Sequence, residues 1–180
     1  MKFVPTKFPE VVLIKPKVFG DTRGFFYESY REDLFAQNNL RAHFVQDNQS
    51  RSKKGVLRAL HFQTEPMEQA KLVRVVTGEA FDAVVDIRVR SKTFGQYFHT
   101  LLTGENKMML YVPPGFAHGF LALKDDTEFH YMVSNYYSPE HERGILWNDP
   151  SIGIPWPKLD VPYRLSEKDQ KSPLLREFFH

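Results

Sequence analysis

The chain has 180 residues, 24 basic against 22 acidic for a formal net charge of +2, and no cysteine. Disulfides, thiolate metal sites and a cysteine nucleophile are excluded, and charges interleaved this evenly lack the basic footprint of a duplex nucleic-acid binder, so an anionic partner is expected to be small. At this length one domain over 1–180 is expected, burying roughly 70% of its unfolded surface. With no apolar leader in Met1-Lys2-Phe3-Val4-Pro5 and no run of ~18 apolar residues, a cytoplasmic protein that does not enter a membrane is expected.

In chain order, residues 11–14 and 25–30 read as strands, rich in β-branched and aromatic side chains, and 31–38 carries a helical period. Further strands are predicted at 56–62, 71–76, 81–87, 108–112, 120–123 and 129–135. From about 138 the chain becomes proline-rich, with Pro150, Pro155, Pro157 and Pro162, and predicts an extended segment wrapping the body before a last short helix at 174–179. Many short strands with helices confined to two pieces predict an all-β jelly roll with short peripheral helices.

Strict alternation in the 56–62 strand places Ala59, His61 and Gln63 on one face and Arg58, Leu60 and Phe62 on the other, so His61 is expected to face a cavity. A half-buried histidine bonded to backbone is the plainer alternative. Lys71 shares a face with Val73 and Val75, an unusual setting for a charge, although an edge-strand lysine blocking aggregation fits the same pattern. The segment Val112-Pro113-Pro114-Gly115-Phe116-Ala117-His118 is similar to the second cupin motif, in which a Pro-x-Gly turn is followed by an inward histidine. The first motif's His-x-His is replaced by His61-Phe62-Gln63, and glutamine is a weak ligand for transition metals. No catalytic metal is therefore expected.

Taken in order, segments 19–29, 44–48, 56–63, 71–74, 113–120, 136–139, 146–150 and 165–169 together resemble the dTDP-4-dehydrorhamnose 3,5-epimerases, metal-free cupin-like jelly rolls. The resemblance implies inversion, without a cofactor, of C3 and C5 of dTDP-4-dehydro-6-deoxy-D-glucose beside its C4 ketone, giving dTDP-4-dehydro-L-rhamnose. It makes His61 the base, Asp169 its orienting carboxylate, Tyr131 the acid and Lys71 the group near the enolate oxygen, with His118 close by. It makes Arg23, Phe26, Glu28, Gln46, Asn48, Arg58, Tyr137, Glu142 and Lys168 sugar and nucleotide ligands, Phe26 and Tyr137 lying at the thymine. It implies a homodimer in which Arg23, Phe26 and Glu28 act across the interface. If Arg58 and His61 both touch the ligand, the strand between them needs a bulge.

Ala59 and Ala70 stand where the family commonly has glycine, and Met132 where many members have lysine. Ala59, expected on the face of His61, leaves a single-centre 5- or 3-epimerase as the main alternative. A metal-dependent cupin enzyme would require His99 or His130 beside His118, and a non-catalytic nucleotide-sugar binder would exchange no protons.

Overall fold

A computed structural model describes residues 1–178. One sheet runs in the order β1 (Lys2–Pro5), β2 (Val12–Lys15), β10 (Met109–Val112), β7 (Lys71–Thr77), β12 (Thr127–Val133) and β5 (Gln46–Ser52). The facing sheet runs β13 (Glu142–Gly144), β6 (Leu57–Gln63), β11 (Phe116–Ala122), β8 (Glu79–Asp86) and β9 (Tyr97–Thr103). Every pairing within them is antiparallel. A separate hairpin joins β3 (Phe19–Asp21) to β4 (Gly24–Phe26), and the helices α1 (Glu32–Gln37), α2 (Glu167–Gln170) and α3 (Leu175–Phe178) are short. This is the all-β jelly roll that the strand spacing predicts, of the cupin-like type that the Pro-x-Gly motif and the resemblance imply.

Alternation along the strands sorts side chains into a core between the sheets and one on each outer face. Val73, Val75 and Phe129 meet Val84, Leu102 and Phe120 between the sheets. Outside the five-stranded sheet, Leu57, Leu60, Phe81 and Val85 pack under Ile152, Trp156 and Leu175 of the C-terminal segment. Outside the six-stranded sheet, Val12, Ile14, Leu72 and Met109 lie under Phe35 of α1. Interior strand β8 is buried beyond its first residue because both its faces are covered, which explains its largely apolar sequence.

Most predicted strands are present, with ends shifted by a residue or a few. The strand expected at 25–30 is reduced to β4, which pairs only with β3 and leaves Phe25 and Phe26 61% and 66% exposed. Its aromatics signal burial without saying against what. Strands β1, β3, β5, β9 and β13 were not expected; β5, reading Gln-Asp-Asn-Gln-Ser-Arg-Ser, has no apolar residue at all. It is held by an unbroken seven-residue register with β12. The tail helix is α3, and Phe179 lies outside the described residues.

Candidate active site

A cavity of about 580 Å³ opens between the sheets where the apolar core stops, and cross-strand register stacks its walls in layers. On one wall Tyr131 faces Asn48 across β12 and β5, and on the other His61 pairs with His118 across β6 and β11. To one side lie Val133 opposite Gln46, and Glu142 opposite Gln63. To the other lie Phe129 opposite Ser50, and Phe120 opposite Arg58. The stacked Phe120 and Phe129 rings, 3.9 Å apart and nearly parallel, join this end to the core.

His61 is held by the far end of the chain. Its Nε2 lies 2.6 Å from Oδ1 of Asp169, whose side chain is only 5% exposed. Asp169 sits on α2, where the hydroxyl of N-cap Ser166 accepts the Asp169 backbone N–H at 3.1 Å. An ionised carboxylate can only accept, so it places the imidazole proton on Nε2 and leaves the Nδ1 lone pair free to take a proton.

Lys71 begins β7, between β10 and β12, so it guards no sheet edge. Among the described residues its side chain makes one hydrogen bond, a long one of 3.3 Å from Nζ to the His61 carbonyl. Burial pulls its pKa down from 10.5 to about 8, against the opposing charges of Glu142 and Asp82. His118 pairs through Nε2 with Oδ2 of fully buried Asp82 at 2.8 Å, and burial pushes that carboxyl up while His118 opposes the shift. The Tyr131 phenol is likewise pushed up by burial, with Arg58 opposing.

At the polar end, Gln46 donates to Asn48 at 2.9 Å and accepts the Tyr137 backbone N–H at 2.9 Å. The Tyr137 hydroxyl donates to Glu142 at 2.7 Å, and Glu142 also pairs with Lys168 of α2. Burial would raise the Glu142 carboxyl, but Lys168 and Tyr137 together hold it below its ordinary value.

The sequence model described as dTDP-4-dehydrorhamnose 3,5-epimerase matches residues 5–177. The dTDP-4-dehydrorhamnose 3,5-epimerase of Salmonella typhimurium is 52% identical over 176 residues, 97% of this chain and 96% of its own. The chain belongs to the dTDP-4-dehydrorhamnose 3,5-epimerase family. Among solved structures, the dTDP-6-deoxy-D-glucose-3,5-epimerase of Legionella pneumophila, in complex with dTDP-4-keto-L-rhamnose, superposes with a TM-score of 0.94 at 45% identity. That comparison covers 97% of this chain and 93% of the other. The Bacillus anthracis dTDP-4-dehydrorhamnose 3,5-epimerase, with TDP and PPi bound, gives 0.92 at 44% identity over 96% of this chain and 98% of its own.

In this family member the residues singled out by sequence divide into two groups. His61, Lys71, His118, Tyr131 and Asp169 line one cavity with Gln46, Asn48, Arg58, Tyr137, Glu142 and Lys168. Arg23, Phe26 and Glu28 do not reach it. Arg23 is bound to Asp21 at 2.5 Å on the exposed hairpin, and Glu28 lies 3.6 Å from Arg31.

Arg58 and His61 share the cavity because the register of β6 against β11 shifts between them, as a bulge must to bring both to one face. The same shift overturns the expected position of Ala59. It turns away from His61 into the outer core with Leu57, Leu60 and Ala117. A Cβ built on Gly119 would lie 2.4 Å from the Ala59 methyl, so the two backbones meet with no space between them. The reason given for a single-centre enzyme, a methyl beside the base, is therefore gone.

The alternative metal set also comes apart. His130 lies on the other face of its sheet, with Asp47 at 2.7 Å and Arg74 at 3.3 Å. His99 stacks on Phe81 at 4.7 Å. Among the described residues no group of three or more His, Cys, Asp and Glu side chains is placed to hold a metal ion, and no helix is long and apolar enough to cross a membrane.

Sequence reasoning missed Asp82, Ser50 and Arg164. Asp82 sits within an apolar run, where a lone carboxylate in a buried strand was itself a signal. Ser50 lies on an unrecognised strand, and Arg164 on a segment read as mere wrapping.

Proposed function

We propose that the protein inverts C3 and C5 of dTDP-4-dehydro-6-deoxy-D-glucose to give dTDP-4-dehydro-L-rhamnose, the whole chain 1–180 acting as one cytoplasmic epimerase domain. His61 Nδ1 removes the proton on a carbon flanking the C4 ketone, and Asp169 balances the imidazolium that forms. The electron pair moves into an enolate whose oxygen is stabilised by the Lys71 ammonium, with His118 beside it. Tyr131 delivers a proton to the opposite face of the carbon. The reaction is redox-neutral and each proton has a carrier in the protein, so no cofactor is called on.

The observation that carries this reading is that His61 and Tyr131 line one cavity from facing sheets. A substrate lying between the sheets presents one face to each. Tyr137 and the Gln46–Asn48 pair supply stacking and hydrogen bonds for the nucleotide end.

The exposed hairpin supports a homodimer in which Arg23, Phe26 and Glu28 enter the neighbour's cavity, since Phe26 is left 66% exposed on its own chain. The test is incubation with dTDP-4-dehydro-6-deoxy-D-glucose in heavy water, following C3 and C5 separately by NMR. Deuterium entering both positions with formation of the L-rhamno product is expected. Exchange at one position alone would replace the double inversion by a single one, and no exchange would leave a binding protein.

A further inference from the structure

Besides Lys71, the cavity is lined by Arg58, Arg164 and Lys168. Lys168 is already neutralised by Glu142. Among the described residues the Arg58 side chain has only a 3.4 Å contact from Nε to the Ser52 hydroxyl. Among the described residues neither Arg58 nor Arg164 has a carboxylate within ion-pair distance. Two unneutralised guanidinium groups beside one cavity repel each other until an anion joins them.

Their neighbouring positions follow from the backbone. Arg164 donates its N–H to Gly55 at 2.8 Å and accepts from Leu57 at 3.0 Å, forming a parallel bridge with Val56. The approach is tight, since a Cβ on Gly55 would lie 2.7 Å from the Pro162 carbonyl oxygen. The residue bonded to Arg164 therefore directly precedes Arg58. On the cavity wall formed by the opposite sheet, the buried Ser50 hydroxyl has no hydrogen-bond partner, and its register partner Phe129 belongs to the same layer as Arg58. An unpaired hydroxyl and two arginines line this one cavity, a set suited to an anion with several acceptor oxygens.

We infer that Arg164 is a second guanidinium for the diphosphate of the nucleotide sugar, working with Arg58 and delivered by the C-terminal segment. The inference rests on the substrate reading above and adds to it a residue, a partner group and a reason for the wrapping segment. Arg164 is exposed and holds its place through backbone atoms, so replacing its side chain leaves the bridge to Val56 intact.

The experiment is calorimetric titration of the wild-type protein, Arg164→Gln and Arg164→Lys with dTDP, thymidine and inorganic pyrophosphate. Loss of one charge-assisted contact is expected to weaken dTDP roughly tenfold or more in Arg164→Gln. Pyrophosphate should weaken in parallel, thymidine should not change, and Arg164→Lys should recover part of the loss. If dTDP binds Arg164→Gln within twofold of wild type, or if thymidine weakens as much as dTDP, the assignment is wrong. A wild-type protein that binds neither dTDP nor thymidine would instead sink the substrate reading, and this inference with it.

Discussion

Lys71→Met keeps the length of the side chain and removes its charge, isolating the group assigned to the enolate oxygen. In the wild-type protein burial holds this amine at about 8, and only the charged form offers a full positive charge to the enolate. Free-enzyme kcat/KM is therefore expected to fall about tenfold per pH unit above that value. The Tyr131 phenol, raised from 10.0, titrates at higher pH and does not obscure this limb. Removing one donor to a developing oxyanion costs roughly 10² to 10³ in turnover, so Lys71→Met should be slower by that factor near pH 7 and lack the limb near 8. Initial rates of deuterium entry at C3 and C5, measured from pH 6 to 10, provide the assay. A limb near 8 that survives in Lys71→Met, or a wild-type profile flat to pH 10, would refute the assignment. The same depressed value carries a stability consequence with the opposite slope. Lys71 contributes stability above its unfolded value of 10.5 that is lost as pH falls through about 8, so at pH 7 Lys71→Met should melt at a higher temperature than wild type.

Tyr131→Phe should still form the enolate, and His61 then returns the proton to the face it came from. Deuterium should enter C5 with retention while inversion falls roughly 10² to 10⁴-fold, and equal losses of exchange and inversion would show that Tyr131 helps form the enolate. Asp169→Asn preserves shape beside His61 but removes the charge that balances the imidazolium, so exchange at both carbons should fall roughly 10² to 10⁴-fold with dTDP affinity intact; a loss below tenfold would take Asp169 out of the dyad. Ala59→Gly should leave the ratio of C3 to C5 exchange unchanged, because the methyl faces the outer core, and should lower stability by about 0.5–1 kcal/mol in denaturant titrations. A changed ratio would put Ala59 back among the residues that shape the site.

The local signals in the chain were enough to reach the architecture and the chemical vocabulary of the site. Apolar alternation at 71–76 and 81–87 identifies strands whatever they pack on, and the Pro-x-Gly turn before His118 sets the direction of the strand it opens. Ordered segments spread along nearly the whole chain identified the family, and the resemblance singled out His61, Tyr131 and Asp169, which line one cavity. The tertiary structure decided what depends on partners distant in sequence. β5 is a strand because β12 supplies its hydrogen bonds and the cavity accepts its polar side chains, neither of which a local apolar pattern encodes. Ala59 left the face of His61 because a register shift against β11 overrode the two-residue period. The His61–Asp169 contact spans 108 residues, and Arg164 reaches Arg58's surroundings only through a bridge between the last segment and the start of β6. Composition and period describe which surface a residue prefers; which two surfaces meet is set by chain closure over long separations, and the cavity exists only where two sheets and the C-terminal segment close on one another.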